Sequence, residues 1–154
     1  MTRLTQANLV AFAVPAALLA GALGSQYLGG LYPCEMCHWQ RWPHYAALAL
    51  ALGAFVAGDG TRRTLVILAA LAIAASGLLG IFHAGVEYGW WRGVTSCSTT
   101  PTGSLDAILK TPMISCTTPQ WTLGPVSLAG FNALFSLGGA ASVLWLLGKR
   151  GAVA

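Results

Sequence analysis

Four long apolar stretches, at about 9–28, 39–57, 65–82 and 126–147, leave little choice of fold for this chain. Each is close to the roughly 20 residues that a helix needs to cross a hydrocarbon core of about 30 Å. The expected fold class is all-α: an integral membrane four-helix bundle, one transmembrane domain over residues 1–154. Composition agrees, since only 8% of the residues are charged against about 25% in ordinary soluble domains. Six Trp and four Tyr suit membrane interfaces, where amphipathic rings settle at headgroup level. The net charge of +4 comes from few, scattered basic residues. They form no stripe, so nucleic acid is not expected as a partner.

The connections differ in kind. Residues 58–63 read as a tight polar hairpin between the second and third stretches. Residues 84–123 hold Pro101, Pro112, Pro119 and much Ser and Thr, and read as a long exposed loop with one short helical candidate at 105–109. The first stretch exceeds the 7–15 apolar residues of a signal peptide, so a retained helix is expected. Sidedness follows from Lys and Arg at the helix ends. Arg3, Arg62, Arg63, Lys149 and Arg150 share one side of an alternating bundle, Arg41, Arg92 and Lys110 the other. The bias places both termini in the cytoplasm, and residues 29–38 and the long loop outside.

All four cysteines then fall on the outer side: Cys34 and Cys37 in the first outer segment, Cys97 and Cys116 in the long loop. An even count in an oxidising compartment suits disulfide chemistry. Two inert structural bridges would suit it as well. A zinc site lacks the paired-CxxC spacing, and no metal is expected.

The surroundings of Cys37 point to reactivity. Pro33 precedes a Cys34-Glu35-Met36-Cys37 motif placed where the second helix begins. A thiolate at a helix N-terminus gains from unpaired N–H groups and the positive dipole end. Arg41, four residues on, shares the face of Cys37 and adds a fixed positive charge. Both effects lower a thiol pKa, and the thiolate is the nucleophile in exchange.

The run Pro33-Cys34-Glu35-Met36-Cys37-His38-Trp39-Gln40-Arg41 resembles the P-C-x-L-C-x-x-x-R signature of the bacterial disulfide bond formation protein B (DsbB) family. Cys97 and Cys116 in one loop between the third and fourth helices fit the same family, and so do His83-Ala84-Gly85-Val86-Glu87, Trp90-Trp91 and Ser127-Leu128-Ala129-Gly130-Phe131-Asn132. Met36 stands where Leu is usual, which should preserve apolar contact, and Val94 where some relatives have Pro. The loop is also shorter before Cys116 than in the best-known relatives.

The resemblance implies a thiol:quinone oxidoreductase of the bacterial inner membrane. Such an enzyme reoxidises a periplasmic thioredoxin-fold oxidase of the DsbA type and passes the electrons to a quinone, ubiquinone or menaquinone. Carried over by position, Cys97 would form the mixed disulfide with the partner, and Cys116 would exchange with Cys34. Cys37 would face the quinone, with Arg41 on a quinone oxygen. The resting bridges would be Cys34–Cys37 and Cys97–Cys116. A vitamin K epoxide reductase-like protein would carry its CxxC after the loop cysteines rather than before them. A non-enzymatic scaffold with structural disulfides is the reading from a different class.

Other polar residues carry weaker expectations. His83 and Glu87, four apart near the outer end of the third helix, could bind the quinone or move protons, or be solvated helix-end residues. His38 and His44 read as neighbours of the headgroups, and no facing histidine pair for a haem stands out. Asn132 reads as a bond between helices. Gly77, Gly80, Gly138 and Gly139 read as sites of close packing.

Overall fold

The computed structural model of the protein describes residues 1–94 and 114–148. Within them the order is α1 (Arg3–Tyr27), α2 (Glu35–Val56), α3 (Asp59–Glu87), β1 (Thr122–Leu123), β2 (Val126–Ser127) and α4 (Leu128–Gly148). Cys97, Lys110, Lys149, Arg150 and the helical candidate at 105–109 lie outside the described residues.

The helices coincide with the four apolar stretches but overrun them. α1 begins at Arg3, capped by the Thr2 hydroxyl, which accepts from the Thr5 N–H. α2 starts at Glu35 rather than about 39, and α3 runs from Asp59 to Glu87 rather than over 65–82. Most of the anticipated 58–63 hairpin is therefore the first turn of α3, and 84–87 is helix rather than loop. Hydropathy marks only the part of a helix that suits hydrocarbon, whereas backbone hydrogen bonding continues into polar turns beyond it. At the other boundary α4 starts late, at Leu128, because Val126 and Ser127 pair with Leu123 and Thr122 in a small antiparallel hairpin. Gly124 at φ +61°, followed by Pro125, gives that turn the positive-φ first corner of a type II′ turn.

Three helices, α1, α3 and α4, are long and apolar enough to cross a membrane. α2 falls short on composition, because His38, Gln40, Arg41 and His44 crowd its first turns. It still packs along α3 and α1.

The packing inverts that of a soluble protein. The interior is mostly small: Ala7, Ala11, Ala47, Ala51, Ala69, Ala70 and Ala140 are buried, and Ile73 and Val66 head the fully buried side chains by size. Large apolar groups such as Leu52, Phe55, Leu78, Leu134, Phe135 and Trp145 point outward. Lipid tails cover such faces, while small residues let helix backbones approach closely. Gly77 and Gly139 sit where an added Cβ would come within 2.8 Å of Leu137 and Val14, and at Gly80 it would meet the Ala129 carbonyl at 2.9 Å. Gly138 has nothing within 4 Å and is no packing site.

The two ends of the bundle are finished differently. Arg62 Nε donates to the Ala54 carbonyl at 3.0 Å and an Arg63 N–H to the Leu147 carbonyl at 3.2 Å. These cations meet the C-terminal ends of α2 and α4, where the helix dipole is negative. At the opposite end Trp91 folds back over α3, its indole N–H donating to the Phe82 carbonyl at 2.8 Å. The bare backbone of Gly85 makes room for that ring, because a Cβ there would lie 2.1 Å from it.

Candidate functional site

Cys34 is the N-cap of α2, with extended backbone, and its sulfur accepts the Cys37 N–H at 3.2 Å. Ser, Thr, Asp or Asn normally fills this position with an oxygen. The free N–H groups of the helix start, expected to favour Cys37, serve Cys34 in at least one case, since the Cys37 N–H itself is bonded to the Cys34 sulfur. The two sulfurs lie 2.8 Å apart and are not bonded to each other. The hydrogen bond to Cys37, reinforced by burial, holds the Cys34 thiol far above the usual thiol range. Cys37 is the sulfur that feels the Arg41 guanidinium, so negative charge in the pair is best placed there.

The pair looks two ways. Cys34 packs with Met36, Val86 and the fully buried Cys116, so Met36 does make the apolar contact expected of it. Cys34 Sγ, Cys116 Sγ and a ring nitrogen of His83 all lie within 4.8 Å of one another. Three such donors could in principle hold a thiophilic cation, but the same closeness is what exchange between Cys34 and Cys116 requires. Cys116, expected in an exposed loop, is therefore buried against the start of α2. The following residues are strapped down: the Tyr32 N–H donates to Gln120 Oε1 at 3.0 Å, and the Gln120 amide donates back to the Tyr32 carbonyl.

Cys37 also packs on that cluster, but unlike Cys34 it lines a cavity of about 210 Å³ between α1, α2, α3 and α4. Its walls are mostly apolar, among them Leu18, Leu19, Leu128 and Phe131. Arg41, His44, His83 and Glu87 bring polar groups to it. The Arg41 guanidinium is anchored on α1, donating to Gln26 Oε1 at 2.6 Å and to the Ala22 carbonyl at 3.1 Å. His83 is buried, with its Nε2 3.6 Å from Cys34 Sγ and 3.8 Å from the Glu87 carboxylate. Glu87 also accepts from the Ser127 hydroxyl. Both are thus interior groups rather than solvated helix-end residues.

A polar network behind the cavity was only partly visible in the sequence. Gln40 donates to His83 Nδ1 at 2.8 Å and accepts from the Asn132 amide at 2.8 Å, and Asn132 Oδ1 meets His44 Nε2 at 2.9 Å. Asn132 does bond between helices, as expected. His44 is not at the headgroups: only 3% exposed, it lies inside the bundle with Ser76 and Ser136. Exposed His38 joins none of this. The signal for the missed pair was present, since Gln40 and His44 stand four apart inside an apolar stretch, and intramembrane polar side chains usually face the bundle interior.

The family model described as disulfide bond formation protein DsbB matches residues 4–146. An uncharacterised protein of Rickettsia prowazekii is 26% identical over 138 residues, covering 84% of this chain and 80% of its own length. Disulfide bond formation protein B of Aromatoleum aromaticum is 44% identical over 73 residues, covering 44% of this chain and 42% of its own. No solved structure matches the chain. With three helices able to cross a membrane and a family match over nearly its whole length, this multi-pass membrane protein belongs to the DsbB family of disulfide bond formation proteins.

Proposed function

We propose that the chain is a thiol:quinone oxidoreductase of the bacterial inner membrane. It reoxidises a periplasmic DsbA-type thioredoxin-fold oxidase and passes the electrons to a membrane quinone. The observation that carries this reading is the division of the CxxC pair: Cys34 stands beside Cys116, while Cys37 lines the cavity with Arg41.

The residues present fit a quinone ring. The walls are apolar, and among the described residues the bonds of Arg41 to α1 engage two of its N–H groups, out of the five a guanidinium carries. The remainder are donors available to a ligand oxygen. A bound quinone supplies the two-electron acceptor that returns Cys34 and Cys37 to a disulfide. The rest is done by the chain. Cys97 takes the mixed disulfide with the partner, and Cys116 attacks or leaves Cys34 across their short gap. Cys37 presents its sulfur to the cavity while Arg41 supplies fixed positive charge beside it, which favours a thiolate and any negative charge developing on a ligand oxygen. His83 and Glu87 offer nearby groups able to hold a proton.

In this reading both termini are cytoplasmic and the four cysteines periplasmic. The test is oxidation of a reduced thioredoxin-fold partner by the purified protein, with ubiquinone or menaquinone supplied. Turnover that depends on quinone and on Cys37 is the expected result. Partner oxidation absent with either quinone, or unaffected by Cys37→Ser, would leave a scaffold with structural cysteines as the better reading.

A further inference from the structure

Two side-chain amides stand in series behind His83, and backbone carbonyls fix which way round each lies. Gln40 Nε2 donates to the Met36 carbonyl at 3.2 Å, and Asn132 Nδ2 to the Ser76 carbonyl at 3.1 Å. Between them the Asn132 amide donates to Gln40 Oε1 at 2.8 Å. Turning Gln40 over would set two oxygens against each other at Met36 and two nitrogens at Asn132. Turning Asn132 as well would repair the second contact but bring its oxygen onto the Ser76 carbonyl. A backbone carbonyl only accepts, so neither rotation is open. The second N–H of Gln40 therefore goes to His83 Nδ1, 2.8 Å away.

A ring nitrogen that receives an N–H must be the bare lone pair, so the hydrogen of the neutral ring sits on Nε2. The surroundings of Nε2 agree, since acceptors lie around it: the Cys34 sulfur at 3.6 Å, the Glu87 carboxylate at 3.8 Å and the backbone of Cys116. Cys34, His83 and Cys116 also bring one ligand atom each to within 4.8 Å of one another. Two thiols and an imidazole suit zinc or its softer relative cadmium. A histidine that binds a metal through one nitrogen gives the N–H of the other to a carboxylate, carbonyl or water. Here the other nitrogen meets a donor instead, and the nitrogen beside Cys34 keeps its hydrogen.

We propose that Gln40 is a positioning residue that locks His83 as a hydrogen-bond donor, keeping the Cys34–Cys116 site open to sulfur exchange and closed to soft metal ions. Asn132 acts one step further back, by holding Gln40. The proposal rests on the exchange reading of Cys34 and Cys116 above and deepens it. Two reduced thiols that must trade partners would be trapped by a metal if His83 offered a third ligand. Exchange uses a donor beside the sulfur that leaves as thiolate, whereas trapping uses a lone pair. One amide N–H decides between them.

The test reads the tautomer and the metal directly, on the full chain in detergent. Nitrogen-15 NMR of ring-labelled histidine in the reduced protein, assigned with His83→Phe, should show a bare Nδ1 and a protonated Nε2 at His83. Gln40→Glu puts a carboxylate where the amide N–H was and still offers Asn132 an oxygen, so it should move the hydrogen to Nδ1. Cadmium is then titrated by thiolate absorbance with Cys37→Ser and Cys97→Ser in place, which leaves Cys34 and Cys116 as the thiols. Gln40→Glu should bind cadmium about 10- to 100-fold more tightly, the usual worth of a partner to a metal-bound histidine. Adding His83→Phe should abolish that gain, whereas His83→Phe alone should leave cadmium affinity unchanged. A protonated Nδ1 with Gln40 in place would overturn the proposal. So would cadmium binding there that weakens in His83→Phe, or a folded Gln40→Glu protein with no gain. The first two results decide the matter even if Gln40→Glu fails to fold. None of them touches the proposed function, which falls only with the loss of partner oxidation itself.

Discussion

His83 Nε2 stands 3.6 Å from the Cys34 sulfur while the opposite nitrogen of the same ring accepts from Gln40 at 2.8 Å. Since Nδ1 is the acceptor, Nε2 carries the hydrogen, and the Cys34 sulfur, the backbone of Cys116 and the Glu87 carboxylate are the acceptors around it. A donor fixed beside a sulfur favours that sulfur as a thiolate leaving group. His83→Phe should slow partner oxidation at saturating quinone by tenfold or more, about the 1.5–3 kcal/mol of a hydrogen bond to a charged group. His83→Gln, which retains an N–H donor, should recover part of the rate. Equal rates for the Phe and wild-type proteins would remove His83 from the exchange step.

The two cysteines of the motif should ionise in a set order. The Cys34 pKa is raised, first by its hydrogen bond to Cys37 and then by burial. A raised thiol pKa means the neutral form persists as pH climbs past the usual thiol value of about 8.5, so Cys34 stays protonated at neutral pH. Iodoacetamide on the reduced protein should therefore modify Cys37 first, with Cys34 following only at strongly alkaline pH or after denaturation. Mass spectrometry of the digest checks this, and preferential labelling of Cys34 near pH 7 would contradict it.

Arg41 joins the cavity to α1 through Gln26 and the Ala22 carbonyl, so its loss should act on more than charge. Arg41→Lys keeps the cation without the planar fork, and should raise the quinone KM while leaving measurable turnover. Arg41→Ala should cost at least about 1.5–3 kcal/mol of catalytic efficiency with quinone. An Ala protein that folds and shows unchanged quinone dependence would mean that Arg41 merely reaches for headgroups.

Two glycines of α3 and α4 should respond oppositely to one methyl group. At Gly80 a Cβ meets the Ala129 carbonyl and the Ala133 N–H, both at 2.9 Å, and backbone cannot yield cheaply. Gly80→Ala should destabilise the bundle by about 1–3 kcal/mol. Gly138→Ala, in open space, should be neutral or gain up to about 1 kcal/mol of helix propensity. Thermal unfolding in detergent compares them.

Orientation is open to direct measurement. The proposed orientation, with Cys34, Cys37, Cys97 and Cys116 all periplasmic, predicts that a membrane-impermeant maleimide labels the mildly reduced protein in intact spheroplasts and that lysis adds little. Labelling that needs lysis would reverse the topology.

The four apolar stretches were enough to locate the helices, because hydrocarbon demands an uninterrupted apolar length. They could not locate the ends: the first turn of α3, with Asp59, Arg62 and Arg63, is polar yet helical. The partnership of Cys37 and Arg41 was legible because helix geometry alone puts residues four apart on one face. Which way Cys34 looks was not, since Cys116 reaches it only through a return of the chain pinned by Gln120 on Tyr32. His44 was misplaced for a related reason. Its neighbours Trp42 and Tyr45 are exposed interface residues, and only the rotation of α2 against α3 and α4 reveals that His44 turns inward with Gln40.

Under the proposed function, the different neighbours of Cys34 and Cys37 would also set the order of events in turnover. A dithiol protein arriving by way of Cys116 and a lipid-soluble oxidant entering beside Cys37 would then approach different sulfurs of the pair, so neither would have to leave before the other binds. Among the described residues the two sides are linked by two sulfurs 2.8 Å apart and by His83, which lines the cavity and lies 3.6 Å from Cys34. Such an enzyme follows two-site ping-pong kinetics: double-reciprocal plots run parallel, and excess of one substrate does not inhibit by occupying the place of the other.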